Sequence, residues 1–530
     1  MKCILSFIVL FSLGFFHSCS SPENSFEEPN FLFILVDDLG YHDLSFMGSE
    51  YYETPNIDKI ADRGIRFMNG YANCEVCSPS RASILTGLYP VRHGITDYIG
   101  APSGEAWRRM NRHTPLLPPS YSHYLDHSFL TIPEVMKSAG YKTFFAGKWH
   151  LGSEAEHSLP TDHGFDINMG GYHAGGPYSG GYFAPFNNPY MEDREEDRGK
   201  SLSLRLAEET ARFISENKEN KFFAYLAFYA VHAPIQTSEE KWRKYRDKAE
   251  QMGIEEEGFE MERILPVRKF QDNPVYAGLI EQVDDAVGLV LQTLEDLGLD
   301  ENTVVIFTSD NGGVASGDNY STSSRPLRGG KGNQWEAGIR VPLIINVPWL
   351  PKKMTDEYTP VIGVDFLPTI CDLAGIEWPD TLSVDGISLV PLLKGKKLEE
   401  RPLYWHYPHY GNQGGEPNSI IQQKGWKLIH YWESGRNELY DFSKDIGEKQ
   451  DLSEKYPELV QEMSDKLMKW LDENNALLPG SDPRFNADSF QIVLKGYRNN
   501  LLPKLEKQRQ QMLMPDWQPN EDWWGSNAGR

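Results

Sequence analysis

Four apolar runs, each breaking off at once into polar residues, constrain this chain more than any other feature. Residues 31–36 lead into Asp37-Asp38-Leu39-Gly40, and residues 143–146 into Gly147-Lys148-Trp149-His150-Leu151-Gly152. Residues 222–231 lead into His232-Ala233-Pro234, and residues 303–308 into Ser309-Asp310-Asn311-Gly312-Gly313. Their lengths and their β-branched and aromatic content are those of strands buried on both faces. Amphipathic stretches lie between them. Tyr276, Leu279, Ile280, Val283, Val287, Val290, Leu291 and Leu294 recur at three- and four-residue steps, which predicts one helix face. Strand and helix in alternation predict an α/β fold, a mostly parallel sheet sandwiched by helices. Ligands bind such sheets beyond the carboxyl ends of the strands. There Asp37, Asp38, Lys148, His150, His232, Asp310 and Asn311 would gather.

Asp37, Asp38, Asp310 and Asn311 offer oxygen donors only, and such sets select hard cations such as calcium or magnesium. Adjacent carboxylates repel each other unless a cation neutralises them. Asp37-Asp38 alone reads equally well as a helix cap, but the second acidic strand end favours the metal. The formal net charge of −24 argues against a nucleic-acid partner, since phosphate binding needs a basic surface. It leaves an anionic substrate open, because the local field of a pocket decides binding there. Lys331 lies in a glycine-rich string, Leu327-Arg328-Gly329-Gly330-Lys331-Gly332, without the strand–GxxxxGK[ST]–helix order of a nucleotide-binding loop.

The N-terminus reads as a targeting segment. Met1-Lys2 precedes an apolar run over residues 3–16, shorter than the roughly 20 residues a membrane span needs. Residues 1–19 are expected to be a signal peptide; its end resembles a bacterial lipoprotein site, with Cys19 as the lipidated residue, while His17 just before it leaves plain cleavage as the alternative. An exported protein follows, in the periplasm or anchored at the outer membrane of a Gram-negative bacterium, touching membrane only through that lipid. Of five cysteines only Cys74, Cys77 and Cys371 lie beyond this segment, too few for a disulfide framework. Cys74-Glu75-Val76-Cys77 is a C-x-x-C with no second pair to complete a zinc site.

The string Cys77-Ser78-Pro79-Ser80-Arg81-Ala82-Ser83-Ile84-Leu85-Thr86-Gly87 reads as the start of a helix. It resembles the signature of the type I sulfatases, members of the alkaline phosphatase superfamily, and the strings Asp162-His163-Gly164-Phe165-Asp166 and Gly181-Tyr182-Phe183-Ala184-Pro185-Phe186 are similar to those of the family's polysaccharide-degrading bacterial branch. The stretch 147–152 resembles the family's second signature, and the order of motifs holds through Lys331, Glu336 and Arg340-Val341-Pro342. The resemblance implies that a maturation enzyme oxidises Cys77 to Cα-formylglycine. One hydroxyl of the aldehyde hydrate attacks sulfur and the other lets the aldehyde re-form. It also implies one Ca2+ held by Asp37, Asp38, Asp310, Asn311 and an oxygen at position 77. Arg81 would hold the hydrate, Lys148 and Lys331 the sulfate oxygens. His232 would protonate the leaving oxygen, and His150 would deprotonate the second hydroxyl.

The expected catalytic region spans residues 27–395. Residues 396–530 are expected to form a smaller α+β part, with a small antiparallel sheet, a helix over 457–473 and a tail from 480 onward that matches no pattern. The expected substrate is a sulfated carbohydrate of galactose type. His93, Asp97, His406, His409 and the Gly/Tyr/Pro-rich loop 162–189 are candidates to read the sugar. Two other readings compete. A phosphatase or phosphodiesterase of the same superfamily would place Ser or Thr as nucleophile and two metals with histidine ligands. A non-catalytic glycan-binding lipoprotein would not need the full polar set.

Overall fold

The structure is a computed structural model and describes residues 28–110, 112–253, 257–350, 356–377 and 383–517. The expected signal segment 1–19 and the last residues of the tail lie outside the described residues. Strand β1 (Asn30–Val36) lies inside an eight-stranded sheet. The others are β2 (Ile65–Phe67), β3 (Lys142–Gly147), β4 (Ile167–Met169), β5 (Phe222–Phe228), β6 (Thr303–Ser309), β7 (Leu343–Asn346) and β8 (Asp356–Glu357). The order across the sheet is β8-β2-β7-β6-β1-β5-β3-β4. Strands β6, β1, β5, β3 and β4 are parallel, and β7 runs antiparallel to β6 and β2.

Register explains why the four polar strings meet. Val36 is paired with both Ser309 and Phe228, and Gly147 with Ala227. The strands therefore end level, and the loops that leave them emerge side by side.

Period-2 alternation splits the core into two layers. The faces are covered by α1 (Pro55–Arg63), α2 (Cys77–Thr86), α3 (Ile132–Ser138), α4 (Leu202–Glu216), α5 (Pro274–Asp296) and α6 (Phe366–Leu373). Leu32, Ile34 and Val36 pack with α1, α4 and α5, while Phe31, Phe33 and Leu35 pack with α2, α3 and α6. Each such side chain, fully buried, contributes about 1.5–3 kcal/mol. The helix face expected over 276–294 is the buried stripe of α5.

A second, antiparallel sheet follows in simple order: β9 (Leu403–Tyr407), β10 (Asn418–Gln423), β11 (Trp426–Tyr431) and β12 (Asn437–Asp441). One face carries Ile421, Leu428 and Leu439 against Met463, Leu467 and Leu471 of α7 (Pro457–Glu473). The other face packs Trp405, Ile420 and Ile429 on Tyr71, Trp335 and Ile339 of the first part.

The tail then returns over the larger part. Gly480 and Ser481 pair with Leu117 and Leu116, and Asp482 forms an ion pair with Arg108. Helices α8 (Ala487–Gly496) and α9 (Leu502–Met512) follow. Glu506 accepts hydrogen bonds from the Gly258 and Phe259 amides at 3.0 and 2.8 Å. Arg509 Nε donates to Asp272 Oδ2 at 2.6 Å, and Met512 and Leu513 join the main core. This strap had no sequence signal.

Candidate active site

The level strand ends bring the expected cluster together. Asp37 and Asp38 follow β1, Lys148 and His150 follow β3, His232 follows β5, and Asp310 and Asn311 follow β6. Cys77 opens α2, so its side chain sits at the helix's N-terminal end, where the first amides have no partner within the helix. Glycine is required where backbones touch: at Gly147 (φ +107°) a Cβ would lie 1.7 Å from the Ala227 carbonyl oxygen. Asp38 and His150 adopt φ of 60° and 57°, a left-handed backbone uncommon outside glycine and visited mostly by Asn, Asp and His.

Arg81 Nε donates to Asp310 Oδ2 at 2.7 Å, and its Nη1 donates to the Lys148 carbonyl at 2.7 Å. Lys148 Nζ donates to Asp37 Oδ2 at 2.6 Å and Lys331 Nζ to Asp38 Oδ2 at 2.8 Å. Asn311 Nδ2 donates to Asp38 Oδ1 at 2.8 Å. Two buried oxygens accept no hydrogen bond: Asp37 Oδ1, which has only the ion-pair contact of Arg81 Nη2 at 3.5 Å, and Asn311 Oδ1. Ligand atoms of Asp37, Cys77 and Asp310 lie within 4.8 Å of one another. Orphaned buried oxygens inside a carboxylate set are what a hard cation would satisfy, so these residues fit one.

Burial, together with Asp310 and Asp38 and against the pull of Lys148, pushes the Asp37 carboxyl well above its usual range. Burial acts on Asp38 the same way, yet Lys331, His232 and Lys148 together hold it below the usual range. Burial pushes the Cys77 thiol up, against Lys148 and Lys331. Burial lowers His150 well below its ordinary value, and Lys148 adds to this. Burial, then Lys331, brings His232 down to about 3.

Burial thus favours the neutral form of both imidazoles, and their tautomers follow from carbonyl partners, which can only accept. His150 Nε2 donates to the Ile99 carbonyl at 2.9 Å, which leaves Nδ1 as an acceptor 3.4 Å from Cys77 Sγ. His232 Nδ1 donates to the Ala233 carbonyl at 2.6 Å, which leaves Nε2 facing Asp38 at 3.7 Å.

A cavity of about 360 Å3 opens above this cluster. Cys77, His150, His232 and Lys331 lie in its walls, together with Tyr98, His173, Tyr178, Asp318, Asn412 and Gln413. His173 and Tyr178 come from the loop over 162–189. Asp318, Asn412 and Gln413 escaped the sequence reading, although Gly317-Asp318-Asn319 and Gly411-Asn412-Gln413-Gly414-Gly415 are turn strings that follow β6 and β9.

A family model described as Sulfatase matches residues 29–376. This chain belongs to the sulfatase family. A second model, N-sulphoglucosamine sulphohydrolase, C-terminal, matches residues 331–473 of the sulfatase. A sulfatase of Formosa agariphila is 30% identical, over 88% of this chain and 94% of its own length. The human N-acetylgalactosamine-6-sulfatase is 29% identical, over 77% of this chain and 74% of its own. Among solved structures, Ps i-CgsB superposes with a TM-score of 0.68 at 26% identity, over 91% of this chain and all of its own. These comparisons and the sheet architecture make the chain a type I sulfatase of the alkaline phosphatase superfamily, an enzyme that hydrolyses sulfate esters.

Four residues expected to read the sugar do not reach the sulfatase's cavity. His93 Nε2 pairs with Ser83 Oγ and its Nδ1 accepts from the Ile95 amide. His406 is held by Ser419 Oγ and the Leu477 carbonyl, and His409 by Thr96 Oγ1. Asp97 accepts from the Tyr98 amide and the Tyr407 hydroxyl. All four are buried. Burial brings His93 and His409 to about 3 and His406 to about 4, and pushes Asp97 up to about 8. They satisfy interior polar groups, and the loop after β9, not the histidines flanking it, supplies cavity residues.

Proposed function

We propose that this sulfatase removes O-sulfate from a galactose-type sugar of a sulfated glycan, using formylglycine made from Cys77 and one calcium ion. The observation that carries the reading is Cys77 Sγ, buried beside an acceptor nitrogen of His150 and ringed by Arg81, Lys148 and Lys331. A thiol pushed up by burial is a poor nucleophile at neutral pH, so an unmodified Cys77 would waste that setting. Formylglycine there would supply, as its hydrate, the hydroxyl that attacks sulfur. Calcium held by Asp37, Asp38, Asp310 and Asn311 would supply Lewis-acid charge for the sulfate oxygens.

The chain's own residues do the rest. Lys148 and Lys331 bind sulfate oxygens within a preorganised positive cage, and Arg81 fixes the group at position 77. His150 Nδ1, already aimed at that group, takes a proton from it. His232 is neutral in the free protein, but a sulfate anion against Nε2 favours the imidazolium. That proton is then delivered to the leaving sugar oxygen. The sugar class is supported by relatives named N-acetylgalactosamine-6-sulfatase at 29–31% identity and by the Ps i-CgsB structure in complex with k-i-k-neocarrahexaose. The reading includes a formylglycine-generating partner and export with lipid anchoring at Cys19.

The test pairs mass spectrometry of the peptide containing Cys77 with sulfate release from monosulfated galactose and N-acetylgalactosamine. The aldehyde is expected in active protein, and Cys77→Ala should lose far more than tenfold. Full turnover by protein whose Cys77 is entirely thiol would refute the reading.

A further inference from the structure

We propose that Asp318 is the specificity residue of this cavity: its carboxylate reads a free hydroxyl on the sugar that carries the sulfate, and it repels a sugar with a second anion there. The inference rests on the carbohydrate reading above and names which sugars it admits.

Among the cavity's described lining residues Asp318 is the one acid, on walls otherwise neutral or cationic. It sits in the same cavity as Lys331, close enough to contribute to holding that ammonium above its usual range. A carboxylate facing an anionic substrate opposes binding, unless it earns the difference through something the substrate donates. Sulfate esters offer no proton, but sugar hydroxyls do. A hydroxyl donated to a carboxylate is roughly twice as strong as a neutral pair. A site built around such a bond rejects analogues that lack it, because the acceptor is left unpaired. A second sulfate or a uronate in place of that hydroxyl meets like charge, which excludes it actively.

The acceptor is also held in place. Gln413 Nε2 donates to Asp318 Oδ2 at 2.7 Å. Asp318 has φ +44°, between Gly317 and Tyr320, in a turn closed by the Tyr320 amide donating to the Gly317 carbonyl at 2.9 Å. Arg268 clamps both sides of the loop: its amide donates to the Ala315 carbonyl at 2.9 Å and its Nε to the Tyr320 carbonyl at 2.6 Å. Arg268 is paired with Asp272, which Arg509 of the strap also binds. The loop's aim is therefore fixed before any ligand arrives.

The experiment compares the parent with Asp318→Asn, which tolerates the left-handed backbone and keeps an oxygen for Gln413, and with Asp318→Gly, which removes the side chain without strain. Substrates are a panel of monosulfated galactose, N-acetylgalactosamine and glucosamine, their disulfated counterparts, and 4-nitrophenyl sulfate, which has no sugar hydroxyl. Both variants should lose about 10- to 100-fold in kcat/KM on the best monosulfated sugar, the range of one charged hydrogen bond. On 4-nitrophenyl sulfate they should match or outpace the parent, since a like charge is removed and no hydroxyl bond is lost, and they should narrow the gap between mono- and disulfated sugars. Equal losses on sugar and aryl sulfate, or no loss on sugar, overturn the inference. A parent that cleaves 4-nitrophenyl sulfate and no sugar in the panel overturns the carbohydrate reading and this one with it.

Discussion

Replacing Lys427 by methionine should destabilise the enzyme by about 3–5 kcal/mol, the cost of removing one partner from a buried ion pair. Lys427 is wholly buried, and its Nζ lies 3.2 Å from Glu336 Oε1 and 2.8 Å from Glu448 Oε1. Glu336 keeps the Tyr71 hydroxyl at 3.0 Å and Arg340 at 3.5 Å. Glu448 accepts from the Glu336 amide but has no other cation within ion-pair distance among the described residues. Burial already raises Glu448 to about 7 against the pull of Lys427, so without that ammonium it rises further. The sign follows: a carboxyl raised in the fold adds no penalty below its unfolded value near 4.5, and a growing one as pH rises toward the folded value. The Lys427→Met defect should therefore be larger at pH 8 than at pH 6. Urea unfolding followed by tryptophan fluorescence reads it, with Lys427→Met/Glu448→Gln as partner variant. The double variant should recover part of the loss, because the glutamine cannot ionise. Glu336 lies just beyond Lys331, so kcat/KM should fall as well. A single variant within about 1 kcal/mol of the parent at both pH values, with the double no better, would refute the reasoning.

Three further outcomes are expected. Asp97, raised by burial from 3.8 to about 8, weakens the fold as pH climbs from about 4 to 8, so Asp97→Asn should match the parent near pH 4 and melt higher at pH 8; a variant that melts lower at both would show the charge to be needed. His232→Ala should cut glycan-sulfate hydrolysis by a large part of the roughly 10²–10⁴ that general acids supply, and 4-nitrophenyl sulfate far less, since a phenolate needs no proton to leave; equal losses on the two would assign His232 to binding. Chelation should lower the melting temperature and calcium restore it, because an ion held in the fold and not by the unfolded chain stabilises it and would satisfy Asp37 Oδ1 and Asn311 Oδ1, which accept no hydrogen bond; an unchanged melting curve would count against the metal.

The chemistry was legible because it sits where strands end. Asp37, Lys148 and Asp310 directly follow strands, and level register carries them together. The apolar run from Phe222 predicts a strand to Val231, but pairing stops at Phe228, although the Val231 amide still donates to the Asp37 carbonyl at 2.6 Å. The sugar-facing wall was not legible. His93, His406 and His409 look like ligand readers by residue type, yet burial and interior partners decide their role, and neither is written in local sequence. Asp318 and Asn412 carry no motif, since they are placed by turns and by contacts with chain far away.

The returning strap divides the enzyme's labour in a way that bears on how such enzymes diversify. The matched family segments end at residue 473, whereas the chain that braces the Ala315–Tyr320 loop through Arg509 and Asp272 lies beyond it. A chain stopped after α7 would carry every group that handles sulfate and an unfinished rim. On the reading proposed for Asp318, changes in the tail would retune which glycans are admitted while the four strand ends stay untouched, and the tail would be the place to graft when the aim is a new substrate for old chemistry.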